Sequence, residues 1–198
     1  VSERMARVRY ANRTQVLSPD PDGAGPLPRL ETTFAYDDVG RLERVTNAKG
    51  KVTRYEYNAA NERIKEIAPN LSEVRAEYDA RGNLIEEVDQ LGKRTTYGYD
   101  DANQRTSMVD PRGNEIPADP NAFKWQYGYD ENGNLKTVTS PDPDGAGPVA
   151  PSVTTHAYDV LDRRTSTIDP LGHVTTEEPD ANGNLRTLTR PDPDGAGP

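Results

Sequence analysis

The feature that most constrains this chain is a spelling that returns every twenty-one residues. Tyr36, Tyr57, Tyr78, Tyr99, Tyr129 and Tyr158 are spaced by 21, 21, 21, 30 and 29 residues, and Pro179 takes the next slot 21 further on. The two long steps are the same unit with eight or nine residues inserted. A period of this length is the signature of stacked supersecondary units rather than of one enclosed core. After each anchor comes Asp37, Asn58, Asp79, Asp100, Asp130, Asp159 or Asp180, and three residues later Gly40, Asn61, Gly82, Asn103, Gly133, Asp162 or Gly183. Gly, Asn and Asp make up about a quarter of the chain yet fill every one of these slots.

Backbone physics explains the choice. Asp or Asn opens a type I turn because its side chain accepts a hydrogen bond from the backbone two residues on. A hairpin closed this way needs a left-handed residue to restore strand pairing. Gly reaches that conformation freely, and Asn and Asp tolerate it best among the others. The spelling is therefore a turn that reverses a strand.

A second turn series alternates with the first, mostly ten residues away: NAKG at 47–50, DQLG at 89–92, DPRG at 110–113, DPDG at 142–145, DPLG at 169–172 and DPDG at 192–195, with DPDG at 20–23. These are again type I turns, Pro presetting its backbone angle. APNL at 68–71 lacks the Gly and is expected to turn differently. Strands of about six residues remain between the turns, near the usual length. Phe34/Tyr36, Tyr55/Tyr57, Tyr97/Tyr99 and Tyr127/Tyr129 place two rings on one strand face. Leu42/Val45, Ile64/Ile67, Leu135/Val138 and Leu185/Leu188 are spaced by three. That spacing calls for a bulge or for two partly buried faces. Helix is disfavoured because Gly or Pro interrupts nearly every ten residues. The fold class expected is all-β: a repetitive antiparallel hairpin meander, advancing roughly 10 Å per repeat, as part of a large spiralling sheet or shell. Unpaired end strands would need partners, either neighbouring repeats of the same chain or those of another.

Composition agrees with a thin structure. Apolar residues make 32% of the 198, with two Phe, one Trp and two Met to fill a core, while ten Tyr carry most of the aromatic mass. A net charge of −9 with no basic stripe argues against nucleic acid. Arg41, Arg63, Arg81 and Arg105 stand singly and read as solvated. No apolar run is long enough for membrane insertion. Val1 follows no charged-then-apolar leader, and the chain is expected to be a piece of a longer one. Without cysteine there are no disulfides and no thiolate metal sites.

The units FAYDDVGRLERVTNAKGKVTRYEYN, AEYDARGNLIEEVDQLGKRTTYGYD and YGYDENGNLKTV resemble RHS/YD repeats, whose hallmark is Tyr-Asp-x-x-Gly-[Arg/Asn]-Leu. The resemblance covers 34–198, with a weaker start near Tyr10. It divides the chain into 1–33, a partial repeat with a Pro/Gly-rich insertion, and 34–198, repeats with insertions near 110–122 and 140–151. Asn61, Asn103, Asp162 and Pro179 depart from the pattern and are expected to loosen pairing locally. The resemblance implies a non-catalytic structural segment of a β-sheet shell in a large bacterial secreted or cell-surface protein, with an enclosed toxin domain as partner. DPLGH at 169–173 reads as an ordinary repeat turn rather than the family's self-cleaving region. Two other readings stay open: an adhesin or glycan-binding module, and a self-assembling extracellular fibre.

No residue is assigned a catalytic, cofactor-binding or metal role. PDPDGAGP occurs at 19–26, 141–148 and 191–198. Its Asp-x-Asp-Gly core is similar to the start of a calcium loop, but Ser or Arg stands in the first ligand position, no closing Glu follows and Pro stiffens it; a rigid turn is the better reading. Phe123, Trp125, Tyr127 and Tyr129 should share one strand face and pack. Glu86–Glu87 and Glu177–Glu178, as strand neighbours, point to opposite faces and cannot flank one bond. His156 and His173 are isolated, and no nucleophile–base pair or phosphate loop is present.

Overall fold

The structure, a computed structural model, describes residues 6–10, 13–18, 30–115, 121–143 and 149–191. The chain divides into two units, 1–93 and 94–198. The first holds eight strands: β1 (Ala6–Tyr10), β2 (Arg13–Leu17), β3 (Glu31–Tyr36), β4 (Leu42–Thr46), β5 (Val52–Tyr57), β6 (Arg63–Ile67), β7 (Glu73–Tyr78) and β8 (Leu84–Val88). Each pairs antiparallel with its neighbour in the chain. The second repeats the arrangement with β9 (Arg94–Tyr99), β10 (Arg105–Val109), β11 (Lys124–Tyr129), β12 (Leu135–Thr139), β13 (Val153–Tyr158), β14 (Arg164–Ile168), β15 (Val174–Pro179) and β16 (Leu185–Thr189). The fold is an all-β antiparallel meander. Among the described residues no helix is long and apolar enough to cross a membrane.

The turns are built as the sequence predicts. Asp37 Oδ1 accepts from the amides of Val39 and Arg41, while the Gly40 amide donates to the Asp37 carbonyl at 3.0 Å and Asp37 N–H to the Arg41 carbonyl. Gly40 sits at φ +89°. Asn47 in the second series makes the same contacts with Lys49, Gly50 and Lys51.

Three expectations change. The 68–71 turn does not differ: Leu71 donates to the Ala68 carbonyl at 2.9 Å and takes φ +68° itself. The ladder on either side fixes that conformation, so an aliphatic residue is held where Gly would be unstrained. Asn61, Asn103 and Asp162 do not loosen their turns; all are left-handed and close at 3.0–3.2 Å, as the glycines do. In DPRG, Gly113 is not left-handed. Asp110 caps a short 3-10 turn, Pro111–Asn114, and its amide donates to the Phe123 carbonyl rather than closing a tight hairpin. The insertion gives the chain room to continue, and the Asn114 amide group ties it down on the carbonyls of Arg94, Val109 and Asp110.

The three-residue spacing is a bulge. Tyr36 faces Leu42 and Ala35 faces Arg44, so Glu43 is the extra residue, and Leu42 and Val45 both come to lie opposite aromatic positions. The same shift recurs at Tyr57, Tyr78, Tyr129, Tyr158 and Pro179. Ile64/Ile67 does not share this register: Ile64 is the extra residue itself, and Ile67 faces Arg54 on the other side.

Candidate functional face

The period-two alternation and the bulge sort the side chains onto two faces. One carries Phe34, Tyr36, Leu42, Val45, Tyr55 and Tyr57 in the first unit, and Tyr97, Tyr99, Trp125, Tyr127, Tyr129, Leu135 and Val138 in the second. The opposite face mixes charged and polar side chains with aliphatic ones, among them Ala35, Val52, Ile67, Val88, Val109 and Ile168. Lys65 stands between Glu56 and Glu73 at 3.7 and 3.9 Å, and Arg75 pairs with Glu73 at 2.7 Å. Among the described side chains only Thr14, Ala35 and Val109 are buried. The rings are half-covered by their own neighbours, and the described residues of each unit add no second layer.

Four of the six anchor tyrosines share a task. The hydroxyls of Tyr57, Tyr78, Tyr129 and Tyr158 donate to the carbonyls of Leu42, Arg63, Arg105 and Leu135 at 2.9–3.3 Å. The accepting carbonyl always belongs to the residue at the bulge of the preceding hairpin, where the ladder is interrupted. Pro179 has no hydroxyl, so the last hairpin lacks this tie to Arg164. Burial pushes the Tyr55 phenol up, with the Glu66 carboxylate adding to it, and burial likewise raises Tyr129.

The position six residues after each anchor reads Leu42, Arg63, Leu84, Arg105, Leu135, Arg164, Leu185. The arginines at this position are not merely solvated, as their isolation in sequence had suggested. The Arg105 guanidinium lies between two rings, 5.8 Å from the Tyr97 centroid and 4.7 Å from that of Tyr127. Arg63 lies over Tyr55 at 5.5 Å, and Arg164 pairs with Glu177 at 2.7 Å. Arg41, one position earlier, is engaged as well. It binds Asp37, reaches the carbonyl of Asn58 and the side chain of Asn61 in the next turn, and lies over Tyr57 at 4.9 Å. Cation–ring contacts of this kind are worth about 0.5–1 kcal/mol each at exposed sites. The alternation of Leu and Arg was the available signal.

In the second unit the residue after three of the turns bridges to the next turn. Gln104 donates to the Gly133 carbonyl, Asn134 to Asp162, and Arg163 to the Asp180 carbonyl. Hydrogen bonds hold the turn carboxylates below the usual range: Asn83 on Asp79, the Asn134 amide on Asp130, Arg163 on Asp159 and the Asn184 amide on Asp180.

Phe123 does not join the aromatic strand face. β11 begins at Lys124, and Phe123 ends a 3-10 turn (Asn121–Phe123) with the Arg112 guanidinium 4.7 Å from its centroid. Glu86 and Glu87 face Glu77 and Ala76 on opposite sides, and Glu177 and Glu178 are divided likewise. His156 Nδ1 is 3.0 Å from Thr167 Oγ1, its pKa lowered by burial and then by Arg164; His173 bonds Asp169 within its turn, which is an ordinary repeat turn with Gly172 at φ +85°. Among the described residues no three His, Asp or Glu side chains gather as metal ligands. The Asp-Gly portions of the PDPDGAGP stretches, on which the calcium question turns, lie outside the described residues. Ala76 interrupts the row of rings and leaves a hollow of about 180 Å³ lined by Arg63, Glu66, Tyr78 and Glu87. Arg63 and Glu66 approach to 3.3 Å there, an ion pair rather than a nucleophile with a base.

The RHS repeat family model matches residues 36–71 and 78–115, each match opening on an anchor tyrosine. Those two segments carry RHS repeats. No curated protein sequence matches it. Among solved structures, the RHS-repeat chain is similar to the crystal structure of TcdB2-TccC3-Cdc42, with 17% identity and a TM-score of 0.68 over 93% of this chain and 11% of that one. TcdB2-TccC3 without its hypervariable C-terminal region gives 18%, 0.68, 91% and 11%. The Photorhabdus luminescens Tc holotoxin pore gives 18%, 0.64, 92% and 10%. The chain thus spans about a tenth of the length of these relatives. At such identity the likeness establishes the fold: a repeated antiparallel hairpin sheet of that architecture.

Proposed function

We propose that this RHS-repeat chain is a non-catalytic wall segment of a larger secreted or cell-surface bacterial protein, and that the wall encloses a cargo or toxin domain. The observation that carries this reading is a sheet whose rings gather on one face of each unit while almost no described side chain is buried. A sheet of this kind separates two environments, and half-covered Tyr and Trp suit a covering polypeptide better than open water. Likeness to TcdB2-TccC3 supports the assignment. In this reading residues 34–198 are the repeats, 1–33 is a partial repeat, and the partners are neighbouring repeats and the enclosed domain. No side chain takes a catalytic, cofactor or metal role.

Hydrogen exchange together with covalent side-chain labelling of the full-length protein, with and without its cargo domain, tests the proposal. Cargo removal is expected to expose peptides bearing Tyr55, Trp125 and Tyr127 to a covalent tyrosine or tryptophan label while leaving the strand amides protected. Unchanged labelling of both faces would sink the enclosure, and strand amides that exchange freely would sink the wall itself.

A further inference from the structure

The stretch PDPDGAGP follows β2, β12 and β16. In the first two places the whole connection has the same length, residues 18–30 and 140–152, and its mouth is closed by the same pair of bonds. Ser18 N–H donates to the Leu30 carbonyl at 2.9 Å and Leu30 N–H to Ser18 Oγ at 3.0 Å. Ser140 and Ser152 repeat both, at 2.8 and 3.0 Å.

What lies across each mouth is also the same. β3 with its next residue reads Glu-Thr-Thr-Phe-Ala-Tyr-Asp and β13 reads Val-Thr-Thr-His-Ala-Tyr-Asp; no other strand of the chain has Thr-Thr-x-Ala-Tyr-Asp. The registers coincide. Val16 faces Thr32 and Gln15 faces Thr33, while Val138 faces Thr154 and Thr137 faces Thr155.

β16, Leu-Arg-Thr-Leu-Thr, matches β12, Leu-Lys-Thr-Val-Thr, position by position. Val138 is half-covered by the strand across from it. Its counterpart Leu188 is 42% exposed, Leu185 is 58% exposed, and all five β16 residues are exposed. Among the described residues β16 has β15 on one side and no strand on the other.

We infer that the edge of β16 left open among the described residues is a docking surface for one kind of strand: an antiparallel segment of Thr-Thr-x-Ala-Tyr-Asp type, set with its first Thr opposite Leu188 and its second opposite Thr187. This rests on the reading of the chain as a repeat wall and is independent of any cargo. A one-residue slip would turn the tyrosine of the incoming strand to the opposite face, so the register is specified as well as the partner.

The chain has no cysteine, which allows a clean test. Single-cysteine variants Leu188→Cys and Thr187→Cys are mixed with synthetic peptides of residues 151–160 carrying Thr154→Cys or Thr155→Cys, and disulfide formation is followed with time. Directly opposed residues of an antiparallel pair lie about 4.5–5.5 Å apart at Cα, within disulfide reach. The Leu188→Cys chain is expected to capture the Thr154→Cys peptide several-fold faster than the Thr155→Cys peptide, and the Thr187→Cys chain to reverse that preference. Equal rates, or equal capture of a reversed-sequence peptide, would overturn the inference. Hydrogen exchange on the same samples separates the two readings. Protected β16 amides without a cross-linking preference remove only the docking register, whereas unprotected β16 amides remove the repeat wall as well.

Discussion

The hydroxyl of Tyr57 donates to the carbonyl of Leu42 at 2.9 Å, fifteen residues back in the chain and across a strand boundary. That bond fastens one hairpin to the one before it at the bulge, where the ladder leaves a carbonyl in need of a partner. Tyr57→Phe keeps the ring and removes the donor. It should lower stability by about 1 kcal/mol, read as a shift in urea midpoint with the slope unchanged. Tyr78→Phe, whose bond to Arg63 is longer at 3.3 Å, should cost less.

Leu71 holds a left-handed angle, φ +68°, with its side chain 75% exposed. Relieving it costs no packing. Leu71→Gly is therefore expected to stabilise the chain by about 0.5–1 kcal/mol, the left-handed penalty less the entropy of glycine. Gly40→Ala should do the reverse by about 1 kcal/mol. An added Cβ at Gly40 meets nothing within 4 Å, so backbone strain alone is being measured.

Acid should unfasten the turns. The folded-state pKa values of Asp79, Asp130, Asp159 and Asp180 lie below the ordinary value, because the carboxylates accept hydrogen bonds from the residues that follow them. The unfolded state thus binds protons first. The contribution is complete above about pH 4 and is lost as pH falls through the lowered folded values. Urea midpoints measured from pH 6 downward should stay level and then drop below about pH 4. Asp159→Asn, which cannot titrate, should reduce that drop. An unaltered profile would count against the assignment.

Arg105 between Tyr97 and Tyr127 links β10 to the strands on both sides. Arg105→Gln should destabilise the second unit by about 1 kcal/mol, and Arg105→Lys by less. Amide exchange resolved by peptide should place the loss in β9 to β11.

Much of this architecture was legible because its turns obey local rules. Asp37 with Gly40 and Asp79 with Gly82 announce reversals whatever surrounds them, since side-chain acceptors and left-handed angles are properties of a few residues. Leu71 was misread because the flanking ladders, not the residue, decide its conformation. The 110–113 turn was misread because Asn114, four residues on, supplies the tie that pulls the chain aside. The solvated reading of Arg41 and Arg105 failed for a related reason. Their partners, Asn58 and Tyr127, sit in the following hairpin, and for Arg105 it is the bulge that turns the side chain onto the face of the rings. The bulge itself could be anticipated from Leu42 and Val45, whose spacing an unbroken strand could not accommodate.

Because only Thr14, Ala35 and Val109 are buried among the described side chains, the described residues hold no central core that ties all strands at once. Loss of structure should therefore proceed like an opening zip, fraying from whichever end is least tied. Within the second unit the Pro179 hairpin, without a tyrosine hydroxyl, is the one expected to open most readily.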